Sequence, residues 1–283
     1  MLELSSLGET WQLGYGGDTL NAAIHLARAG HDVRYLTAIG SDPLSADLGE
    51  QWRAAGLDTS LVLRHATRST GLYAISTDAS GERGFSYWRD TSAARELFEL
   101  PDVDAALAEA CEADLLGFSL ISLAILPETG RERLLALAHD VRGKGGHVAF
   151  DGNYRARLWP SAKEAACWRD RGAACADIGL PTLEDETALG LSDADAVGAH
   201  WQELGCGEVV VKLGERGCRL PDGRVDPPPS KVTPVDTSGA GDAFNAGYLD
   251  ARLRGEPPDL AARQGHKLAA WTIARRGAIP DVV

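Results

Sequence analysis

The sequence predicts an α/β fold in three layers, a mostly parallel central sheet with helices on both faces and a small β lid projecting from it. Three observations predict this. Short apolar or β-branched runs alternate with stretches of helical periodicity, the order expected of successive βα units. Two alternating runs at 71–76 and 84–89 are joined by the turn formers of 78–83, as in an antiparallel hairpin. Small residues at 239–241 open a long amphipathic stretch, as at a helix start that must let another group come close.

Taken in order, amphipathic periodicity places a helix over 19–29, and the run at 33–37 is a short strand. The hairpin over 71–90 supplies the lid. Strands are expected at 115–118, 147–151 and 208–213, and helices at 127–142 and 194–204. A further strand at 231–235 precedes the last two helices, 240–254 and 261–274. Pro227, Pro228 and Pro229 form a stiff loop ahead of it. No internal repeat divides the chain, so 1–283 is read as one domain with its lid.

Composition bounds the function. A chain of 283 residues that is 44% apolar can bury one large core. The five cysteines (Cys111, Cys167, Cys175, Cys206 and Cys218) include no C-x-x-C pair, which argues against a zinc knuckle or disulfide framework and for the reducing cytoplasm. The sequence shows neither a membrane-length apolar run nor the order of a signal peptide. A net charge of −13 repels nucleic acid and anionic membranes, so an anionic ligand needs dedicated arginines. The patterns G-x-G-x-x-G and G-x-x-x-x-G-K-[ST] are absent, which removes a Rossmann dehydrogenase and a P-loop NTPase. Seven histidines with no i, i+4 pair offer no transition-metal site.

The sharpest chemical signal is 236–244, Asp236 to Phe244. Gly239, Ala240 and Gly241 let backbone N–H groups at a helix N-terminus approach an anion. A phosphoryl group in transit needs such donors, because its transfer is catalysed mainly by positioning and charge stabilisation. Asp242, in the first turn beside them, can take the proton of an attacking hydroxyl. An isolated G-x-G-D would be an ordinary turn whose acid complements the helix dipole. Nine residues in this context favour the chemistry.

This segment resembles the C-terminal signature of the ribokinase-like (PfkB) carbohydrate kinases. Residues 16–30, beginning Gly16-Gly17-Asp18, resemble the N-terminal signature, with Gly40 at the matching distance. The resemblance implies ATP and magnesium, and places Gly17 and Asp18 against sugar hydroxyls. Asn21 is expected to serve helix packing or local backbone bonding. Within the family, segments 87–89, 150–159, 180–190 and 276–280 resemble the 2-keto-3-deoxygluconate kinase branch. An acid sugar carries a carboxylate, which a guanidinium holds in a bidentate fork, so Arg89 and Arg155 are its candidates. Tyr73 and Tyr87 would bond sugar oxygens from the lid. Strand alternation puts Tyr87 and Arg89 on one face and Trp88 on the other.

The resemblance brings Asn153 and Arg155 near nucleotide or acid sugar without dividing the contacts between them. It also brings Lys212, Gly214 and Gly217 near ATP. Where many relatives carry Asn-x-x-Glu, this chain has Thr182-Leu183-Glu184-Asp185, which leaves Asp185 as an indirect magnesium contact and no direct protein ligand. A fructokinase or ribokinase, or an idle relative that binds sugar acid, are the alternatives. Lids in the family often pair, so a homo-oligomer is open. Relatives usually begin with a strand ending in Gly-Glu, whereas Met1-Leu2-Glu3-Leu4 resembles the segment just after that strand. A vacant place between the strands near 33–37 and 115–118 is therefore expected.

Overall fold

The computed structural model describes all residues except 9, 78–82, 230 and 282–283. The strands are β1 Leu2–Leu7, β2 Thr10–Tyr15, β3 Thr37–Gly40, β4 Val62–His65, β5 Leu72–Thr77, β6 Arg83–Trp88, β7 Leu115–Ser119, β8 His147–Asp151, β9 Ile178–Gly179, β10 Glu208–Val209, β11 Val211–Lys212, β12 Cys218–Arg219 and β13 Val225–Asp226. The helices are α1 Asp18–Arg28, α2 Pro43–Ala54, α3 Val103–Ala110, α4 Leu120–Ile125, α5 Glu128–Gly143, α6 Ala162–Ala174, α7 Leu183–Ala188, α8 Ala194–Glu203, α9 Ala240–Leu253 and α10 Pro258–Ile273.

The central sheet runs β10-β9-β8-β7 with parallel pairing throughout. Strand alternation sends neighbouring residues to opposite faces, and the core divides accordingly. Val148, Phe150 and Val209 join the cluster that contains α3, α5, α6 and α8 residues. Ala149, Val210 and Leu115 join a second cluster built from α9 and α10. Helices therefore cover both faces, as expected of a parallel sheet. Phe150 lies against Phe118 at 5.0 Å and stacks on Trp201 at 5.5 Å between ring centroids, which fixes the strand end that presents Asp151. Like Asp151, Ser119 stands at the carboxyl end of its strand, where open α/β sheets place ligands.

The lid is a four-stranded sheet in the order β2-β1-β5-β6. Its β5–β6 hairpin pairs Tyr73 with Tyr87 and Leu72 with Trp88. The turn expected at 78–83 lies outside the described residues over 78–82. β3 and β4 form a separate parallel pair, and β7 is the edge of the central sheet. Among the described residues no strand joins β7 to β3.

Three expected strands are corrected. The strand at 33–37 is displaced to Thr37–Gly40, with only an isolated bridge from Arg34 to Asp58 before it. The run 208–213 splits between two sheets: β10 pairs with β9, while β11 turns into an antiparallel meander with β12 and β13. The segment 231–235 is not a strand. Its Val235 N–H donates instead to the Ile273 carbonyl at the end of α10, at 2.7 Å. No helix among the described residues is long and apolar enough to cross a membrane.

Candidate active site

The start of α9 is held open by its flanks. Gly239 caps the helix at φ 70°, a left-handed conformation costly for other residues. A Cβ there would lie 2.6 Å from the Ala278 Cβ. The 276–280 segment therefore backs directly onto the loop. Asp236 ties the two together, its carboxylate accepting from Ser238 N–H at 2.8 Å and from Gly277 N–H at 2.9 Å. The same segment grips α1, for the Ala278 carbonyl lies 3.2 Å from His25 Nε2 and Arg28 donates to the Pro280 carbonyl at 2.7 Å. Gly241 and Asp242 occupy the first turn, where N–H groups have no acceptor within the helix.

Asp242 meets residues from across the chain. Asn21 on α1 donates from Nδ2 to its Oδ2 at 2.7 Å, while Asn21 Oδ1 accepts from Gly17 N–H at 3.3 Å. The expected local backbone bond is thus half of what Asn21 does. Asp18, at the first position of α1, accepts from the Ser119 hydroxyl, and Ser119 itself caps α4. Lys212 donates to Asp151 at 2.9 Å and to Asn245 Oδ1 at 3.1 Å, and Asn245 donates to Asp151 at 2.9 Å. Lys212 Nζ also lies 3.8 Å from where a Cβ on Gly241 would stand, so its charge sits beside the α9 turn.

This crowding sets the proton affinities. Burial, then the negative charge of Asp18, pushes Asp242 up to about 7, against the opposing Asn21 hydrogen bond and the Lys212 charge. Burial also raises Asp18, opposed by the Ser119 hydrogen bond. A carboxyl poised near neutrality is matched to proton transfer at physiological pH.

The lid adds an aromatic and cationic wall. Tyr73 and Tyr87 stack with centroids 5.9 Å apart. Tyr73 donates its hydroxyl to Glu3 on β1, and Gly16 passes so close to this pair that a side chain there would collide with it. Burial, with Glu3 beside it, pushes the Tyr73 hydroxyl far above its ordinary range. The Arg89 guanidinium lies 4.5 Å from the Tyr87 ring centroid. Arg89 is 9% exposed, and its Nη2 has no hydrogen-bond partner among the described residues. Trp88 on the opposite strand face is 59% exposed.

Residues expected on the nucleotide side divide into two groups. Asp185 accepts from Tyr154 N–H at 3.2 Å, with Arg155 Nη1 3.6 Å from its other oxygen. Burial pushes Asp185 up to about 6, against the Arg155 charge. Arg155 also donates to the Tyr154 carbonyl at 2.7 Å, so it faces Asp185 and its own backbone. Asn153 is partly exposed just beyond β8. Gly214 and Gly217 form the turn after Lys212, with φ of 65° and 95°. Among the described residues, no group of three His, Cys, Asp or Glu side chains could hold a metal.

Four residues in this constellation were not singled out from the sequence: Asn245, Ser119, Glu3 and Arg157. The Arg157 guanidinium lies 3.5 Å from the Tyr87 ring centroid. Asn245 comes three positions after Asp242 on α9 and so shares its face, a signal available in the helical period. The others come together only through tertiary packing.

A parallel sheet with Ser119 and Asp151 at its strand carboxyl ends, the start of a long helix bonded to that end through Lys212 and Asn245, and a small lid sheet define the ribokinase-like fold. The profile of the pfkB family of carbohydrate kinases matches residues 2–283, and the chain belongs to that family. It is 43% identical over 290 aligned residues to the 2-dehydro-3-deoxygluconokinase of Escherichia coli strain K12, an alignment covering 99% of this chain and 94% of that protein. It is 38% identical over 297 residues to the enzyme of the same name from Haemophilus influenzae, covering 100% and 94%. Among solved structures, it resembles a fructokinase with bound ATP from Xylella fastidiosa, with TM-score 0.85, 23% identity and coverage of 99% and 91%. It also resembles the 2-dehydro-3-deoxygluconokinase of Thermotoga maritima, with TM-score 0.82, 23% identity and coverage of 100% and 94%.

Proposed function

We propose that the protein transfers the γ-phosphoryl group of ATP to the terminal hydroxyl of 2-keto-3-deoxygluconate, giving 2-keto-3-deoxy-6-phosphogluconate and ADP. The observation that carries the reading is the Asp242 carboxyl, poised at about 7 in the first turn of α9 beside Gly239, Ala240 and Gly241. The Escherichia coli and Haemophilus influenzae relatives, both bearing the deoxygluconokinase name, support the substrate class.

Asp242 takes the hydroxyl proton as the sugar oxygen attacks phosphorus, and the bond from phosphorus to the bridging oxygen of ADP breaks. The N–H groups of Gly239 and Gly241 and the Lys212 ammonium offset the charge that develops on the transferring oxygens, while the Ala240 N–H holds the turn through the Thr237 carbonyl. Gly17 and Asp18 bond the sugar hydroxyls from the start of α1. Tyr87 walls the sugar from the lid, with Tyr73 anchoring it by stacking. Arg89 holds the carboxylate, and the orphaned Nη2 of this buried guanidinium supports that role because such donors ordinarily find a partner.

For ATP, the Gly214–Gly217 turn directly follows Lys212, whose Nζ also reaches the first turn of α9 beside Gly241. Asn153 and Arg155 belong on this side, Arg155 through its place beside Asp185. The donor set fits a hydrated magnesium ion carried by phosphate oxygens, with Asp185 reached through water. Magnesium supplies charge neutralisation on those oxygens when bound.

The test is a coupled assay of ADP release with ATP, magnesium and a panel of sugars. Phosphorylation of the 2-keto-3-deoxy acid well ahead of fructose and ribose is expected. A preference for the neutral sugars would overturn the substrate assignment, and no transfer to any sugar would overturn the enzymatic one.

A further inference from the structure

Arg89 does not stand alone on the lid. Arg157, in the short turn 156–158 after β8, places its guanidinium 3.5 Å from the Tyr87 ring centroid, and Arg89 lies 4.5 Å from that centroid. One aromatic ring thus contacts two cations, one from the lid and one from the turn that follows β8. Among the described residues, Arg157 forms no ion pair. Burial and the Arg157 charge both lower the proton affinity of Arg89, the mark of two like charges facing one region. The faces of Tyr87 ease this repulsion, as aromatic rings attract guanidinium groups. They satisfy no N–H donor in the guanidinium plane. A planar anion with two acceptor oxygens would meet both demands at once, supplying opposite charge and in-plane acceptors.

We propose that Arg157 is a specificity-determining residue for anionic sugars, forming with Arg89 a two-guanidinium clamp that takes the substrate carboxylate across the edge of Tyr87. The inference rests on the acid-sugar reading above and adds a residue to it. The clamp joins lid to sheet, so carboxylate binding also draws the lid onto the central sheet. Arg155 has its own carboxylate neighbour in Asp185, which distinguishes it from Arg157 in spite of their spacing in sequence.

The experiment compares wild type, Arg157→Ala and Arg157→Lys on the 2-keto-3-deoxy acid, on fructose and on fructose 6-phosphate. Calorimetric titration of the acid sugar without ATP gives a readout independent of turnover, and thermal melting checks the fold. Because Arg157 is exposed, its loss is expected to raise KM and Kd for the acid sugar about tenfold, the low end for a hydrogen bond to a charged group. Fructose kinetics should stay within about twofold, and lysine should restore part of the loss, since it keeps the charge without the fork. If wild type prefers the acid sugar and Arg157→Ala leaves that preference and the Kd intact, the clamp is wrong and the function stands. If wild type shows no preference for the acid, the functional reading itself fails. A preference for fructose 6-phosphate that Arg157→Ala abolishes would assign the pair to a phosphate and overturn the carboxylate clamp.

Discussion

Replacing Asn21 by alanine tests how Asp242, the proposed base, is tuned. Asn21 Nδ2 donates to Asp242 at 2.7 Å and favours its ionised form, against burial and the negative charges of Asp18 and Asp151. The Lys212 ammonium and the Tyr73 hydroxyl also interact with it. A hydrogen bond to a charged group contributes about 1.5–3 kcal/mol. With a shift of one pH unit equal to ~1.36 kcal/mol, the carboxyl should move from about 7 upward by roughly one pH unit. About half of the enzyme carries an ionised base at pH 7 before the change and about a tenth after it, so kcat/KM at pH 7 should fall ~5-fold. Near pH 9 both enzymes are almost fully ionised and the difference should nearly vanish. The assay is ADP release measured from pH 5.5 to 9.5, with thermal melting as a control. An acid limb that keeps its midpoint, or a loss of equal size at every pH, would refute the reasoning.

Asp242→Asn should bind ATP and sugar acid but lose about 10²–10⁴ in kcat, measured by titration and single-turnover assay. Full activity would remove Asp242 from the base's role. The same variant should be more stable than wild type above pH 7: ionising a carboxyl whose affinity is raised on folding penalises the native state, a penalty absent below pH 4 and complete above about 7. Its ceiling is ~4 kcal/mol, read as the difference between variant and wild type in urea unfolding at pH 8, with less than half of it present at pH 5. Gly239→Ala should cost about 1–3 kcal/mol in urea unfolding, because the new Cβ meets Ala278 and the left-handed backbone disfavours it; an unchanged midpoint would show that the 276–280 brace yields freely.

The residues that hold chemistry in one contiguous stretch are readable in the sequence alone. Asp242 and Gly239 to Gly241 owe their arrangement to local chain geometry, and so does the sharing of one lid face by Tyr87 and Arg89. The contacts that escape the sequence depend on distance through space. Asn21 reads as a helix-packing residue because its helical position says nothing of α9 beside it. Arg155 draws attention ahead of Arg157 because they are two apart in an irregular turn, where neither helical nor strand periodicity says which points to the lid. The 276–280 segment is readable only as a resemblance, and its work of bracing Gly239 and gripping α1 appears in the hydrogen bonds of Ala278, Pro280 and Gly277. The run 231–235 is β-branched enough to suggest a strand, but its Val235 N–H is taken by a helix end at Ile273. Propensity yields there to tertiary context.

The contact between Asn21 and Asp242 joins residues 221 positions apart, and that between Asp18 and Ser119 spans 101. Closing loops of this length costs entropy that is repaid only when the long-range contacts themselves form. A newly made chain can have its βα units in place while α9 is still undocked from α1. In that state Asp242 is a solvated carboxylate of ordinary acidity, with neither Asp18 nor Asn21 against it. On the proposed mechanism, catalytic competence requires α1 and α9 to be docked, and a chain with its secondary structure formed but these helices apart would carry every proposed site residue without a site.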